Sequence, residues 1–143
     1  MRFLDTNVLV YSMGAIDTKM PASDQRLISL SKEIVRKVDR GEPVLTTTVH
    51  LSEFSNIVHR RLGLQAACDA FETIFLHDNI IVASVEKTHY ELAIEIARQK
   101  NVGINDSVAA VIMDEMKVDE IYSFDTDFDR LSIPRFPKKD RGL

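Results

Sequence analysis

The sequence predicts an α/β fold in which a central parallel β-sheet is flanked by helices on both faces. Short apolar segments typical of strands alternate with longer segments whose apolar residues recur at helical spacing. The chain has 143 residues, 45% of them hydrophobic and 28% charged, which is ordinary for one globular domain. We therefore expect a single domain over residues 1–143.

The first half of the chain predicts two strands and four helices. The apolar start continues into a helix without a glycine or proline break, so Asp5 falls at a junction between strand and helix. Gly41 and Gly63 are stop signals for two later helices, and the β-branched residues after Pro43 indicate the second strand. The predicted elements are strands at 2–5 and 43–47 and helices at 7–13, 23–39, 48–62 and 65–76.

The second half predicts three strands and two helices. The apolar run at 79–84 is typical of a strand buried on both faces of a parallel sheet. Leu92 is expected to face inward on the next helix, which Gly103 ends. Pro134 and Pro137 confine the last strand to the sheet margin. The predicted elements are strands at 79–84, 120–124 and 133–136 and helices at 87–100 and 104–116.

Charge and cysteine content restrict the cellular setting. The net charge of -4 argues against a general nucleic-acid coat, although residues 135–143 form a basic tail with four basic side chains and one acidic. Cys68 has no second cysteine to pair with, and its apolar neighbours predict a buried thiol. No apolar run approaches the ~20 residues of a membrane span. We expect a cytoplasmic protein without a membrane segment.

Four acidic residues occupy positions that suggest a shared site. Asp5 and Asp125 directly follow predicted strands, and ligands of open parallel sheets bind beyond the carboxyl ends of the strands. Asp106 and Glu53 lie on helices whose same-face neighbours are apolar or small, a surface that acids usually avoid.

Each acid also has a structural interpretation. An aspartate after a strand often caps a helix or stabilises a turn. Asp106 would complement a helix dipole, with Asn105 as the cap. Glu53 would pair with His50 or lie at the edge of a buried stripe. Taken singly, these interpretations compete with a functional role.

Together the acids predict a metal site. Several carboxylates in one pocket repel one another unless a cation neutralises them. Carboxylates and water suit Mg²⁺ or Mn²⁺, whereas Cys68 and the scattered histidines offer no zinc spacing. Such ions activate water and neutralise a transferring phosphoryl group. Phosphodiester hydrolysis is the matching chemistry.

Other phosphate and metal folds fit poorly. An aspartyl-phosphate phosphatase needs a second acid two residues after the first, where this chain has Asn7. The series Asp125, Asp127, Asp129 begins like a calcium loop, but its sixth position is Arg130 instead of glycine. A glycine-rich phosphate loop is absent from the sequence.

Four motifs in order identify a family resemblance. They are Phe-Leu-Asp-Thr-Asn-Val-Leu-Val around Asp5, Leu-Ser-Glu-Phe around Glu53, Ile-Asn-Asp-Ser-Val-Ala-Ala around Asp106 and Tyr-Ser-Phe-Asp-Thr-Asp-Phe around Asp125. Over nearly its whole length the chain resembles the PIN-domain nucleases, especially VapC-type toxins. The resemblance implies an endoribonuclease dependent on Mg²⁺ or Mn²⁺ that leaves 5′-phosphate and 3′-hydroxyl ends.

The resemblance also implies site residues. Asp5 and Asp106 correspond to the most constant metal ligands of the family. In the fourth motif Asp125 ranks above Asp127 because it directly follows the strand, and Asp127 would bind metal through water or orient other groups. The predicted catalytic and metal-binding acids are Asp5, Glu53, Asp106 and Asp125, with Asp127 as a further metal ligand and Thr6, Asn7 and Ser123 in support.

Partners follow from the same resemblance. VapC-type toxins cleave RNA, are inhibited by a small antitoxin protein and form homodimers, so these partners are expected here. An RNA-processing nuclease without a toxin role, or an inactive module that binds RNA or protein, would use much the same residues. The cationic side chains available for RNA contact are Arg60, Arg61, Lys138 and Lys139.

Overall fold

The computed structural model describes residues 1–15 and 17–138. Within them the chain forms the five predicted strands and the six predicted helices in the predicted order, with one additional short helix between the last two strands. The strands are β1 (Arg2–Leu4), β2 (Val44–Thr47), β3 (Ile80–Ala83), β4 (Ile121–Tyr122) and β5 (Arg135–Phe136). The helices are α1 (Thr6–Ser12), α2 (Ala22–Asp39), α3 (Thr48–Leu62), α4 (Leu64–Phe75), α5 (Lys87–Lys100), α6 (Ile104–Glu115) and α7 (Asp127–Arg130).

The five strands form one parallel sheet in the order β3-β2-β1-β4-β5. The chain builds outward from β1 to β2 and β3, then crosses to the other side of β1 to add β4. The strand order therefore reverses between β1 and β4. In open α/β sheets this switch point, at the carboxyl ends of the strands, is where a crevice for ligands opens.

Side chains alternate between the two faces of the sheet, and each face has its own core. In β1, Phe3 packs into one core and Leu4 into the other; Leu45 and Val44 of β2 divide in the same way. One core is completed by helices α1 to α4, the other mainly by α5 and α6. The predicted sheet covered by helices on both faces is confirmed.

Three predictions about burial are wrong. The run at 79–84 forms an edge strand that pairs only with β2, so Ile81 is exposed. Cys68 is exposed because α4 turns Ala67 and Ile74 toward the core. Leu92 is 57% exposed, whereas its neighbour Ala93 is fully buried. In each case the apolar pattern was correct, but the face that meets the core was not deducible from it.

Two further predictions concern the ends of the chain and membranes. Of the predicted basic tail, residues 139–143 lie outside the described residues, and Lys139 is among them. Among the helices that the structure describes, none combines the length and apolar character that crossing a membrane requires.

The inward and outward faces of α5 and α6 lead to a stability prediction. Ile112 is 2% exposed, so Ile112→Ala leaves a cavity and should lower the free energy of unfolding by about 3 kcal/mol. Leu92→Ala removes a side chain that is mostly in water and should change it by less than about 0.5 kcal/mol. Urea unfolding of both variants measures the difference. A large loss for Leu92→Ala would contradict the exposed position of this residue.

Candidate functional site

The ends of β1 and β4 are joined by a buried hydrogen bond between side chains. Asp5 caps the N-terminus of α1, and its Oδ1 accepts a hydrogen bond from the Thr6 backbone N–H at 2.8 Å. Its other oxygen, Oδ2, accepts from the Ser123 hydroxyl at 2.6 Å. The Ser123 oxygen also accepts from the backbone N–H of Asp125 at 3.0 Å. Ser123 therefore fixes two motif acids relative to each other.

The other two residues predicted to support the site lie around the same junction. Thr6 donates its hydroxyl to the backbone carbonyl of His50 at 3.0 Å, which ties the start of α1 to α3. The Asn7 side-chain amide nitrogen donates to the Ser123 hydroxyl oxygen at 3.4 Å. The Asn7 Oδ1 is buried and has no hydrogen-bond partner among the described residues. A buried oxygen of this kind lacks the partner that such groups normally have.

Three acids converge near this junction. Each of Asp106, Asp125 and Asp127 places a carboxylate oxygen so that the three oxygens lie within 4.8 Å of one another. Asp106 comes from the first turn of α6, and the other two follow β4. Asp125 accepts a hydrogen bond from the Asp127 backbone N–H at 2.9 Å, while the carboxylate of Asp127 forms an ion pair with Arg130.

Glu53 lies on α3 and is held by a residue of α6, the helix that carries Asp106. The Asn105 side-chain amide donates a hydrogen bond to Glu53 Oε1. Two of the structural interpretations are wrong. The N-cap of α6 is Gly103 and not Asn105. Glu53 pairs with Asn105 and not with His50. The His50 ring is instead buried, with Nδ1 2.7 Å from the Thr47 hydroxyl, and burial lowers its pKa to about 4.

Asp5, Glu53, Asp106 and Asp125 line one open cleft of about 530 Å³. Arg61 lies in the wall of this cleft, whereas its exposed neighbour Arg60 does not line it. Lys138 lies in a different cavity, with its ammonium 5.2 Å from the Phe136 ring centre. The cleft is lined by Asp5, Thr6, Asn7, Val10, Tyr11, Gly14, Met20, Asp24, Ile28, Glu53, Ile57, Arg61, Asp106 and Asp125.

Burial and the neighbouring acids raise the pKa values of two of these carboxyls. Burial, and secondarily repulsion from Asp125 and Glu53, raises the pKa of Asp5 to about 6, although its hydrogen bonds oppose the change. Partial burial together with the charges of Asp125, Asp5, Asp127 and Glu53 raises the pKa of Asp106 to about 7. The charges of the neighbouring acids thus add to burial in opposing the ionisation of Asp5 and Asp106.

The donor set fits a hard divalent cation. The three converging ligand groups are carboxylates, the cleft lining adds Asp5 and Glu53, and it contains neither histidine nor cysteine. Oxygen donors favour Mg²⁺, Mn²⁺ or Ca²⁺ over zinc. Burial is the larger cause of the raised pKa values of Asp5 and Asp106, and a bound cation would offset the repulsion that adds to it.

Comparison with known proteins identifies the family. Residues 2–134 match the sequence model of the PIN domain. The chain belongs to the PIN domain family. The four motif acids and the parallel sheet are thus parts of a PIN domain that spans nearly all of the described residues.

A solved structure supports the same fold. The PIN domain superposes on the crystal structure of Mycobacterium tuberculosis VapC20, described as a toxin that cleaves the sarcin–ricin loop, with a TM-score of 0.73. The two sequences are 22% identical, and the alignment covers 93% of this chain and 96% of that chain. A comparison with curated proteins gave no significant match.

Two contacts at the PIN domain site were not predicted from the sequence. Asn105 was considered only as a helix cap, and its contact with Glu53 depends on how α3 and α6 approach each other. The ion pair of Arg130 with Asp127 joins residues three apart in α7, a helix that was not predicted. Helical spacing would have suggested this pair if the short helix had been recognised.

The raised pKa values lead to a prediction for the metal-free protein. Asp5 and Asp106 bind a proton more tightly in the folded state than at the ordinary pKa of 3.8. Their contribution to stability is therefore fully present below about pH 4 and is lost as pH rises through 6 and 7. At pH 7.5 Asp106→Asn removes a partly buried charge, and it should raise the Tm of the metal-free protein by about 3 °C.

Thermal unfolding in chelator and in excess Mg²⁺ tests this expectation. Added Mg²⁺ should stabilise the wild type and cancel the advantage of Asp106→Asn. Asp114→Asn makes the same charge change at an exposed position of α6 and serves as the control. Comparing variants at each pH cancels the opposite effect of His50, whose lowered pKa removes stability on acidification. A metal-free Asp106→Asn protein less stable than wild type at pH 7.5 would contradict the prediction.

Proposed function

We propose that this PIN domain is a divalent-metal-dependent endoribonuclease and the toxin component of a VapC-type toxin–antitoxin pair. The observation that carries the proposal is the gathering of four motif acids at the switch point of the sheet, in one cleft. The fold shared with VapC20, a toxin that cleaves RNA, supports the choice of substrate.

The acids would hold Mg²⁺ or Mn²⁺. Asp106, Asp125 and Asp127 have the oxygens nearest one another, and Asp5 lies in the same cleft. We rank Asp125 above Asp127 because Asp125 lines the cleft, whereas the Asp127 carboxylate is paired with Arg130. The bound ion would supply a Lewis acid that activates water and neutralises charge on the phosphodiester.

The protein's own groups would position this chemistry. Ser123 and the Thr6 N–H hold the Asp5 carboxylate in one orientation from both oxygens. Asn105 restrains Glu53 in the same cleft, where it would accept a proton from water or bind a cation. Carboxylates that are already fixed lose little freedom when the ion and substrate bind, which would help to hold the reacting groups in place.

Substrate contact would come mainly from Arg61. It lines the cleft that contains the acids, so its guanidinium is placed to bind a phosphate next to the scissile one. Arg60 and Lys138 remain predictions without a contact that favours them, and Lys139 lies outside the described residues.

An antitoxin, a homodimer and a cytoplasmic location complete the proposal. Apolar side chains at the junction and far end of the α3–α4 pair are well exposed, at 60–82% of their surface, and such patches often mark protein contacts. They are Leu62, Leu64, Phe75 and Leu76.

An RNA cleavage assay tests the proposed function. The purified wild type is incubated with a labelled pool of structured RNA in Mg²⁺, in Mn²⁺ and in chelator. We expect cleavage with either ion and none in chelator. The double substitution Asp5→Asn, Asp106→Asn should lower the rate about 100-fold or more, because it removes two acids that would hold the ion.

Asp114→Asn is the matched control, since it removes one carboxylate from the same helix as Asp106 but outside the cleft. It should cleave like wild type. If RNA remains intact with both ions while the protein still binds it, the proposal of catalysis fails and an RNA-binding module is the better description.

The two adjacent arginines give a second test. Arg61→Ala should weaken RNA binding and lower the slope of log affinity against log salt concentration by about 1, as expected for the loss of one phosphate contact. Arg60→Ala should have a smaller effect, because Arg60 does not line the cleft. Filter binding in an Asp106→Asn background, at several salt concentrations, measures both. Equal effects of the two substitutions would mean that RNA binding depends on the general positive charge of this region and not on a contact in the cleft.

A further inference from the structure

The cleft continues well beyond the acids, and its chemistry changes along its length. On α1 the lining residues Asn7, Val10 and Tyr11 follow helical spacing and so share one face. On α3 the lining residues are Glu53, Ile57 and Arg61, four residues apart. On each helix the first lining residue, Asn7 or Glu53, is polar and lies near the metal site. The next lining residue, Val10 or Ile57, is apolar.

The two helices therefore define a direction. Both begin at the carboxyl ends of strands, so each runs away from the acids as the chain proceeds. From Glu53 to Arg61 the axial rise is about 12 Å, and from Asp5 to Tyr11 it is about 9 Å. The order along the cleft is carboxylates first, apolar wall second and a cationic side chain last.

The apolar middle section is large compared with what a metal ion needs. Val10, Met20, Ile28 and Ile57 line it together with Tyr11. The Tyr11 ring is supported from outside the cleft by Phe124, which packs edge-on with ring centres 5.8 Å apart. A supported aromatic ring next to apolar side chains is the kind of surface on which unstacked nucleobases bind.

Charge also indicates which part of a nucleotide fits there. Asp24 lines the same cleft from the first turn of α2. Its carboxylate would repel a phosphate, whereas it can accept a hydrogen bond from a base amine. Phosphates are better accommodated at the two ends, by a cation at the acids and by Arg61.

We propose that the apolar middle of the cleft is a nucleobase subsite, in which an unpaired base flanking the scissile phosphate stacks on Tyr11. This inference rests on the proposed ribonuclease function and specifies its substrate: RNA that presents an unpaired base beside the cleaved bond. Base-paired RNA would be a poor substrate because its bases are stacked within the helix.

A double-mutant cycle between protein and RNA tests the subsite. Affinity is measured in the Asp106→Asn background for a short unstructured RNA and for copies with one abasic position, moved along the strand. At one position the abasic copy should bind roughly 10-fold more weakly, as expected for the loss of one base–aromatic stack. Tyr11→Leu should weaken binding of the intact RNA by a similar factor and should not weaken binding of that abasic copy any further.

Conservative and distant variants make the result specific. Tyr11→Phe retains the aromatic face and is expected to keep the coupling. Tyr90→Leu makes the same change on the other face of the sheet and reports a general effect on the fold. Circular dichroism establishes that each variant is folded.

The outcomes distinguish this inference from the proposed function. If the loss of affinity on Tyr11→Leu simply adds to the loss at every abasic position, the subsite proposal is overturned, whereas the proposal of metal-dependent cleavage is unaffected. Unchanged RNA affinity in Tyr11→Leu would also overturn it and would favour a protein segment as the occupant. If wild type cleaves no RNA yet the coupling is present, the nuclease proposal fails and the subsite remains. Absence of RNA binding would overturn both.

Discussion

Repulsion among carboxylates is the constraint on which the site depends. Folding brings five acids to one end of the sheet, where burial first, and then repulsion from the other acids, raises the pKa values of Asp5 and Asp106, so that ionising them costs free energy. The fold tolerates this cost because side chains are fully buried in both cores, Phe3 and Ile121 on one face of the sheet and Val8 and Val44 on the other. A site that is unfavourable without a cation is also one that gains most from binding it.

The orientation of the acids depends on neutral groups instead of opposite charges. Ser123 connects Asp5 to the backbone of Asp125, and Asn105 connects Glu53 to α6. Hydroxyl and amide groups fix a carboxylate without neutralising it, so its charge stays available for a cation. Arg130 is different, since its ion pair with Asp127 partly neutralises this acid and fits a secondary role for it.

The sequence was sufficient for the fold class because strand and helix patterns are local. It also located the acids, since strand ends gave Asp5 and Asp125 and an acid on an apolar helix face gave Glu53 and Asp106. It was not sufficient for burial at Ile81, which depends on β3 being the edge strand. The contact between Asn105 and Glu53 joins residues 52 apart. Such contacts follow from how helices pack, which spacing along the chain does not specify.

An acidic protein that acts on RNA must confine its attraction for phosphate to one place. The net charge of -4 disfavours RNA over most of the surface. Within the cleft, a cation held by the acids and the guanidinium of Arg61 would provide positive charge at two ends, separated by the apolar wall that contains Tyr11. Non-specific phosphate attraction would then be weak, and affinity would depend on an RNA strand that fits the cleft. Selectivity for substrate follows from this arrangement even without a base-specific hydrogen bond, because a paired strand cannot place its base on the apolar wall.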